Sequence, residues 1–509
     1  MRLSSRNDTL SKRECSRDAP CPTPPRNDAD ERMQTFDATC IDADVLGEAS
    51  LCTRHYSTPR DKMRRMTHAS EGSVQRPWRP YKERVFRLAQ RIVEAQRPIR
   101  ILNAIKWDPQ TFEQFRDSKF RNPPHIDADS YAKMPLGFNP EAMVELLETI
   151  IRDIHNELGS DAIGGILSTT AQQYIDTVRM LELRGTPGFY SMSRTLYGSP
   201  KDLLPGGKTT LRAVAQDMYG ILNGLDDAVL GPTPERTIDA PTAVSILGER
   251  LKHYFGQQQV NVILDDGIVA DAAAGSDYIK IRQGALFSER DLRLLEVHEG
   301  WVHVATSLNG QAQPVARWLG IGPPRVAATQ EGLAALLEVL TMTTHPGRAR
   351  RLNDRVLAVD KAEDGASFLE VFEWFRTEGY DETTCFWNTQ RVFRGGTTSG
   401  GSPFTKDIVY TRGIVTDFNF LTSAIAAGRA DLIRWLFVGK VALEDIPILA
   451  EHAHEGLVRP PLHVPPMFRD LNGLAIWLAV SAFWGKLENE AIQRHFRDSW
   501  ARLRNPDNA

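Results

Sequence analysis

The sequence predicts an α+β protein that is predominantly α-helical, with a small sheet and a disordered N-terminal tail. Three observations carry that class. Beyond residue 80, apolar residues recur at mixed three- and four-residue spacings, which is the helical period. One stretch, 236–287, instead holds short β-branched runs bounded by Gly or Asp. Residues 1 to about 75 are rich in Ser, Arg, Asp, Thr and Pro, with few clustered apolar residues, so no packed structure is expected there. The expected organisation is a tail over 1–75, a mainly helical portion over 80–235, and a portion over 236–505 that carries the chemistry.

Composition narrows the function. The 509 residues are 41% hydrophobic and 25% charged, too apolar for a wholly disordered chain and too ordinary for collagen or a long coiled coil. With 61 Lys+Arg against 65 Asp+Glu, the net charge of -4 gives no global pull toward nucleic acid or an anionic membrane. Five cysteines in 509 residues do not make a disulfide scaffold; four of them (Cys15, Cys21, Cys40, Cys52) fall in the tail, and without a C-x-x-C pair no Cys-type zinc site is announced. Cys385 alone lies in the expected folded body, so a reducing, cytoplasmic setting is expected. The N-terminus has no apolar core of a secretion signal. Met63 and Met66 close the tail, and a translation start there would leave 1–62 unmade.

The elements follow in order. Val85, Phe86, Leu88, Ala89, Ile92 and Val93 predict a helix from Tyr81 onward. Asn139-Pro140 opens another, with Met143, Leu146, Leu147, Ile150, Ile151 and Ile154 on one stripe. Helical patterns continue over 161–184 and 209–224. Val260–Leu264 and Tyr278–Arg282 read as strands. Ser288, with Asp291 three residues on, forms a capping box for a helix running toward Asn309-Gly310. A Gly/Pro loop at 320–325 leads through Thr329 into a helix over 330–343. Helices then follow to the end, interrupted by a Gly/Ser/Thr loop at 395–402. The most apolar run, Gly473 to Gly485, is too short for the roughly 20 residues that span a bilayer and reads as a buried core helix.

The chemistry lies in His298-Glu-Gly-Trp-Val-His303. Zinc-binding helices usually place two histidines four residues apart, a net turn of about 40°. Here the separation is five residues, a net turn of about 140°. A regular α-helix would splay the two rings apart. Chelation therefore needs one residue absorbed, as in a π-bulge, and Gly300 would ease the distortion. Leu294, Leu295, Val297, Val302 and Val304 surround the motif, and imidazoles in an apolar helix need partners. Glu331, at the start of the next helix, supplies a carboxylate 28 positions after His303. Two histidines and a carboxylate make a thermolysin-type ligand set, and Glu299 would be the general base. Against this stands the plainer reading that these residues only cap and decorate helices.

His298-Glu-x-x-x-His303 followed by Gln330-Glu-Gly-Leu-Ala334 resembles the flavohemoglobin expression-modulating QEGLA-motif proteins. These share a domain with the tubulin tyrosine carboxypeptidases of the microtubule-associated type. The resemblance covers about residues 80–500, and Ile279–Arg282, Arg391-Val-Phe-Arg394-Gly and Phe404–Tyr410 add to it. It implies a zincin-like zinc metallopeptidase with one Zn2+ per chain. The implied ligands are His298, His303 and Glu331, and the implied base is Glu299. The tail lies outside the resemblance.

Substrate-binding residues are then sought. The strand Tyr278–Arg282 is a candidate edge for holding an extended peptide, with Lys280 and Arg282 on it; the alternative is an ordinary edge strand whose cations are solvated gatekeepers. A terminal carboxylate calls for a cation, and Arg391, Arg394, Lys406 and Arg412 cluster around the Gly-rich loop. Tyr410 is a candidate donor to the tetrahedral oxyanion, or else a buried tyrosine with a satisfied hydroxyl. The loop Gly395–Pro403 is either a lid or a connector. Other patterns carry no site. Gly206-Gly-Lys-Thr-Thr210 lacks the first glycine of a phosphate loop, and His452 and His454 diverge on a helix.

The expected function is a zinc metallocarboxypeptidase acting on a peptide or protein with a free C-terminus, without nucleic-acid or membrane partners. The rival is a non-catalytic regulatory protein that modulates expression on the same fold. A zinc hydrolase of non-peptide substrates is a third. Retention of all four site residues favours the enzyme.

Overall fold

The computed structural model describes residues 78–231, 234–256, 260–268, 270–487 and 489–501. The tail, its four cysteines and the alternative starts lie outside them. The predominantly helical α+β class is the observed one.

The first helices sit where the periodicity places them. Helix α1 (Trp78–Ala95) buries Val85, Leu88, Ala89 and Ile92, while Phe86 faces the Arg317 guanidinium at the surface. Helix α2 (Pro140–Leu158) starts on Asn139, whose side chain accepts from the Ala142 amide, with Pro140 at the first helical position. Its stripe Leu147, Ile150, Ile154 packs on α3 (Ala162–Glu182). Helices α4 (Pro187–Tyr197) and α5 (Leu211–Asn223) complete this half.

Two small sheets follow. Strand β1 (Ile238–Asp239) pairs antiparallel with β5 (Leu286–Phe287). Between them run α6 (Ala240–Phe255), β2 (Asn261–Asp265), β3 (Ala272–Ala274) and β4 (Tyr278–Arg282). The second sheet has the order β2-β4-β3, with β2 parallel and β3 antiparallel to β4. This corrects the edge-strand expectation. Tyr278–Arg282 is the central strand, and its backbone is used on both sides. The alternation Ile279, Ile281 in and Lys280 out is the same for an edge or a centre; only the non-local pairing decides. The exposed edge near the motif belongs to β3.

A separate apolar core lies under this sheet. Leu247 and Leu251 of α6, Ile279 and Ile281 of β4, and Leu292, Leu295 and Leu308 meet there. Each such fully buried side chain stabilises the fold by roughly 1.5–3 kcal/mol. The last three belong to one long helical run: α7 (Glu289–Leu295), a π-helical segment (Glu296–Val304) and α8 (Ala305–Gln311). The Ser288–Asp291 capping box opens it. Near its end, the buried Asn309 amide bonds the backbone of Phe437 and His463 and accepts from Leu462 and His463.

Helix α9 (Ala327–Leu340) begins three residues earlier than expected, because a 3-10 turn at Pro324–Val326 runs straight into it. It is packed on two sides, against the π-helical segment and against α13. Around it come α10 (Pro346–Glu363), α11 (Phe368–Thr377), α12 (Glu382–Phe393) and α13 (Val409–Ala426). The chain closes with α14 (Leu471–Trp484) and α15 (Asn489–Ala501).

Helix α14 corrects a second expectation. Only Leu474 and Leu478 are buried, against the rest of the large core, while Ile476, Trp477, Phe483 and Trp484 reach solvent. Apolar composition measures a wish for burial; whether a neighbour covers the helix is a tertiary matter. Among the described residues, no helix is long and apolar enough to cross a membrane.

Candidate metal centre

The five-residue spacing is absorbed as the sequence requires. Glu296–Val304 is π-helical, so its backbone repeat matches the separation of His298 and His303 and stacks them on one side. Their ring centroids are 4.9 Å apart. Gly300 serves packing rather than an unusual φ: a Cβ there would stand 2.5 Å from Leu251 Cδ2 of α6.

Glu331 completes the set. Its Oε2 lies 3.7 Å from His298 Nε2 and 3.6 Å from His303 Nε2. One ligand atom from each of the three residues falls within 4.8 Å of the others, the geometry of a site that could hold one cation. The glycine that follows explains the placement. A Cβ on Gly332 would lie 2.1 Å from the Gly413 carbonyl carbon, and one on Gly413 would lie 2.0 Å from Ala328 O. Helices α9 and α13 therefore cross backbone to backbone. That contact fixes Glu331 against the start of α13, where Lys406 Nζ stands 3.5 Å from its Oε1.

A second carboxylate backs the site. Glu338 Oε1 is 2.7 Å from His298 Nδ1 and 2.9 Å from Arg348 Nη2. With Nδ1 donating to Glu338, His298 presents the Nε2 lone pair to the cavity, which suits metal ligation. Burial opposes the Glu338 charge, but Arg348 and His298 outweigh it and hold its pKa at about 2. Burial likewise opposes a charged His298, yet its bonds to Glu331 and Glu338 lift it to about 10. The site thus favours positive charge, whether a proton or a metal ion. Sequence reasoning missed Glu338. The signal was there: a lone carboxylate seven residues after Glu331, two turns on, inside the apolar run Leu333–Leu340.

Glu299 is anchored from the sheet. The Ala274 amide at the end of β3 donates to its Oε2 at 2.9 Å. Since β4 takes the other side of β3, this bond lies on the open edge.

Next to the centre is a cluster of cations. Arg391 is spent on a two-pronged pair with Asp407, at 2.5 and 2.8 Å. Arg355 Nε stands 4.0 Å from the same carboxylate, too far to bond, and has no hydrogen-bond partner among the described residues. Arg394 Nε is also buried without one. Burial and the neighbouring Arg391 both weigh against the charges on Arg355 and Arg394. Tyr410 lies among them, its ring 5.3 Å from the Arg355 guanidinium and 5.9 Å from Lys406 Nζ. Arg391, Arg394, Lys406 and Tyr410 are thus brought together as the sequence suggested, and Arg355 of α10 is a member it missed. Three candidates stand apart. Lys280 pairs with Asp265 and Arg282 with Asp271, both within the sheet region. Arg412 donates to the Tyr197 carbonyl at 2.9 Å.

The loop over 395–403 is tied down. The Gly401 amide donates to Ala362 O at 2.8 Å, the Phe368 amide to Thr398 O at 2.9 Å, and the Gly395 amide to the Tyr131 hydroxyl at 2.7 Å. These bonds favour a connector over a lid.

Fold and site together define a helical α+β protein with a candidate metal centre of two histidines and a glutamate. The model of one family, described as microtubule-associated tyrosine carboxypeptidase, matches residues 113–486. The chain belongs to that family. Of the two related groups that the motifs resemble, this is the one matched. No curated protein matches the chain. Among solved structures, Trypanosoma cruzi metallocarboxypeptidase 1 is similar at 11% identity over 78% of this chain and 99% of its own, with a TM-score of 0.33.

Proposed function

We propose that this chain is a zinc-dependent carboxypeptidase that removes residues from a free peptide or protein C-terminus in the cytoplasm. The observation that carries the reading is the π-helical segment, which sets His298 and His303 side by side and facing Glu331. A regular helix would have parted them. The donor set fits zinc: two imidazole nitrogens and one carboxylate oxygen, with Glu338 orienting the first imidazole. When bound, zinc would supply Lewis acidity toward the scissile carbonyl and the attacking water.

The chain's own residues do the rest. Glu299, held by the Ala274 amide, takes the proton of the attacking water and passes it to the leaving amine. Water adds to the carbonyl carbon, the C–N bond breaks, and the products are a new carboxylate and a free amino acid. Tyr410 donates to the oxyanion. Arg355 and Arg394 take the substrate's terminal carboxylate, because Arg391 and Lys406 already face Asp407 and Glu331. Four cations against two carboxylates leave a surplus that an anionic group would satisfy. The open edge of β3, rather than β4, would align the substrate backbone beside Glu299. Tyrosine preference belongs to the family's name; no residue here is assigned to it.

The test is metal content by elemental analysis, with peptide hydrolysis. About one zinc per wild-type chain, its loss in Glu331→Ala, and cleavage of free C-termini far faster than amidated ones are expected. A folded wild-type protein that binds no zinc would sink the reading.

A further inference from the structure

The two histidines of the candidate centre are held in different ways. The His298 ring is fixed from behind by Glu338. Among the described residues, no group hydrogen-bonds Nδ1 of His303, and its polar ring contact is with Glu331, at Nε2. The place of His303 therefore depends on its backbone.

That backbone is gripped by a contact between two helices. Thr306, fully buried in the first turn of α8, donates from Oγ1 to Val302 O at 2.7 Å, and the same oxygen is 3.3 Å from His303 O. It also stands 2.7 Å from Oε1 of Gln330, which is 5% exposed on α9 beside Glu331. One side-chain contact thus joins the exit of the π-helical segment to the residue before the third candidate ligand. Glu338 ties the same two helices at the His298 end.

Stability alone does not account for Gln330. Its Nε2 is buried with no hydrogen-bond partner among the described residues. A buried donor left unpaired costs stability, and an apolar side chain of similar shape avoids that cost. Thr306 would still have the Val302 carbonyl to take its proton. A polar residue at such a position points to a geometric role.

We propose that Gln330 is a positioning residue for the metal centre: through Thr306 it sets the separation between the His303 end of the π-helical segment and Glu331. The inference rests on the proposed zinc site. Gln330 acts through the two ligands it ties together, not on the substrate.

The test is the zinc affinity of the full chain, by competition with a chromophoric chelator, beside urea midpoints of the zinc-free proteins. Gln330→Met is expected to bind zinc about tenfold more weakly, the low end for a lost outer partner, with a midpoint equal to wild type or higher. Thr306→Val is expected to match that loss, and Thr306→Ser to bind as wild type does. The double variant should be no weaker than either single one, because both remove one contact. Ser307→Ala is the control. It removes a neighbouring buried hydroxyl that bonds the His303 carbonyl of its own helical run and not α9, and should leave the affinity as it is. If Thr306→Val does not fold, Gln330→Met and Ser307→Ala decide the matter. Wild-type affinity in Gln330→Met, a midpoint that falls with the affinity, losses that multiply in the double variant, or an equal loss in Ser307→Ala would overturn the proposal. A folded wild type that takes up no zinc would remove the metal reading itself, and this inference with it.

Discussion

Two neighbouring regions of the molecule handle charge in opposite ways. Around the candidate metal centre the titratable side chains are partnered: His298 has Glu331 and Glu338, Glu338 has Arg348, and Glu331 has Lys406. Beyond Lys406 and Tyr410, Arg355 and Arg394 each have a buried guanidinium nitrogen with none. The first region is closed and shaped for one small cation. The second keeps one unpartnered nitrogen on each of two arginines, which under the proposed function would take an anion. A site that must bind substrate reversibly needs both kinds, since a fully satisfied pocket has nothing left to offer a ligand.

The comparison breaks most sharply at Glu299. Glu299→Gln is expected to lower kcat by about 10²–10⁴-fold, the usual worth of a general base, with zinc content unchanged. Loss of zinc in that variant would move Glu299 into the metal-holding group. Next is the open region. Arg394→Gln and Arg355→Gln should each lower kcat/KM by about tenfold to a hundredfold on peptides with free C-termini. Slow background cleavage of amidated peptides should stay as it is. An equal loss on both substrates would mean that the guanidiniums only support the fold.

The closed region is probed from behind. Glu338→Gln should weaken zinc binding by about 10–100-fold, the range for a lost outer partner of a ligating histidine. It also leaves Arg348 buried without its carboxylate, a cost of about 3 kcal/mol visible in urea titration. Adding Arg348→Met should restore the stability and leave the zinc affinity low. Recovery of both would make Glu338 a mere partner of Arg348.

The smallest expected effect lies outside both regions, at Asp354. Burial pushes its carboxyl up to about 6, and the Tyr380 hydroxyl donates to it at 2.7 Å. The folded state therefore holds this proton more tightly than the unfolded chain. Its contribution favours folding at pH values below the unfolded pKa near 3.8 and is lost as the pH rises to about 6. Asp354→Asn should leave stability unchanged at about pH 3 and raise it by on the order of 2 kcal/mol at about pH 7.5. Thermal melts at the two pH values check this, and a pH-independent difference would refute it.

The fold class and the helix starts at Asn139 and Ser288 were legible because each rests on local chemistry, whereas the candidate metal set joined a local pair, His298 and His303, to Glu331 of another helix. A cap acts over three residues, and a helical stripe over a few turns. Even the π-helical segment followed from spacing, since two histidines five apart on a regular helix cannot share an ion. Glu338 was equally local and was passed over; a carboxylate two turns from Glu331 in an apolar run is a readable signal.

What the sequence by itself determined, then, is the set of short-range commitments: which residues are helical, where helices begin, and which side chains sit next to one another along one element. Tertiary structure decided the rest. It made Tyr278–Arg282 a central strand and left the edge to β3. It tied Arg391 to Asp407 while leaving Arg355 and Arg394 open, and it left most of α14 bare. Each of these depends on which distant segment arrives alongside. Periodicity records how strongly a face seeks cover or a charge seeks a partner, and only the packed chain settles whether one comes.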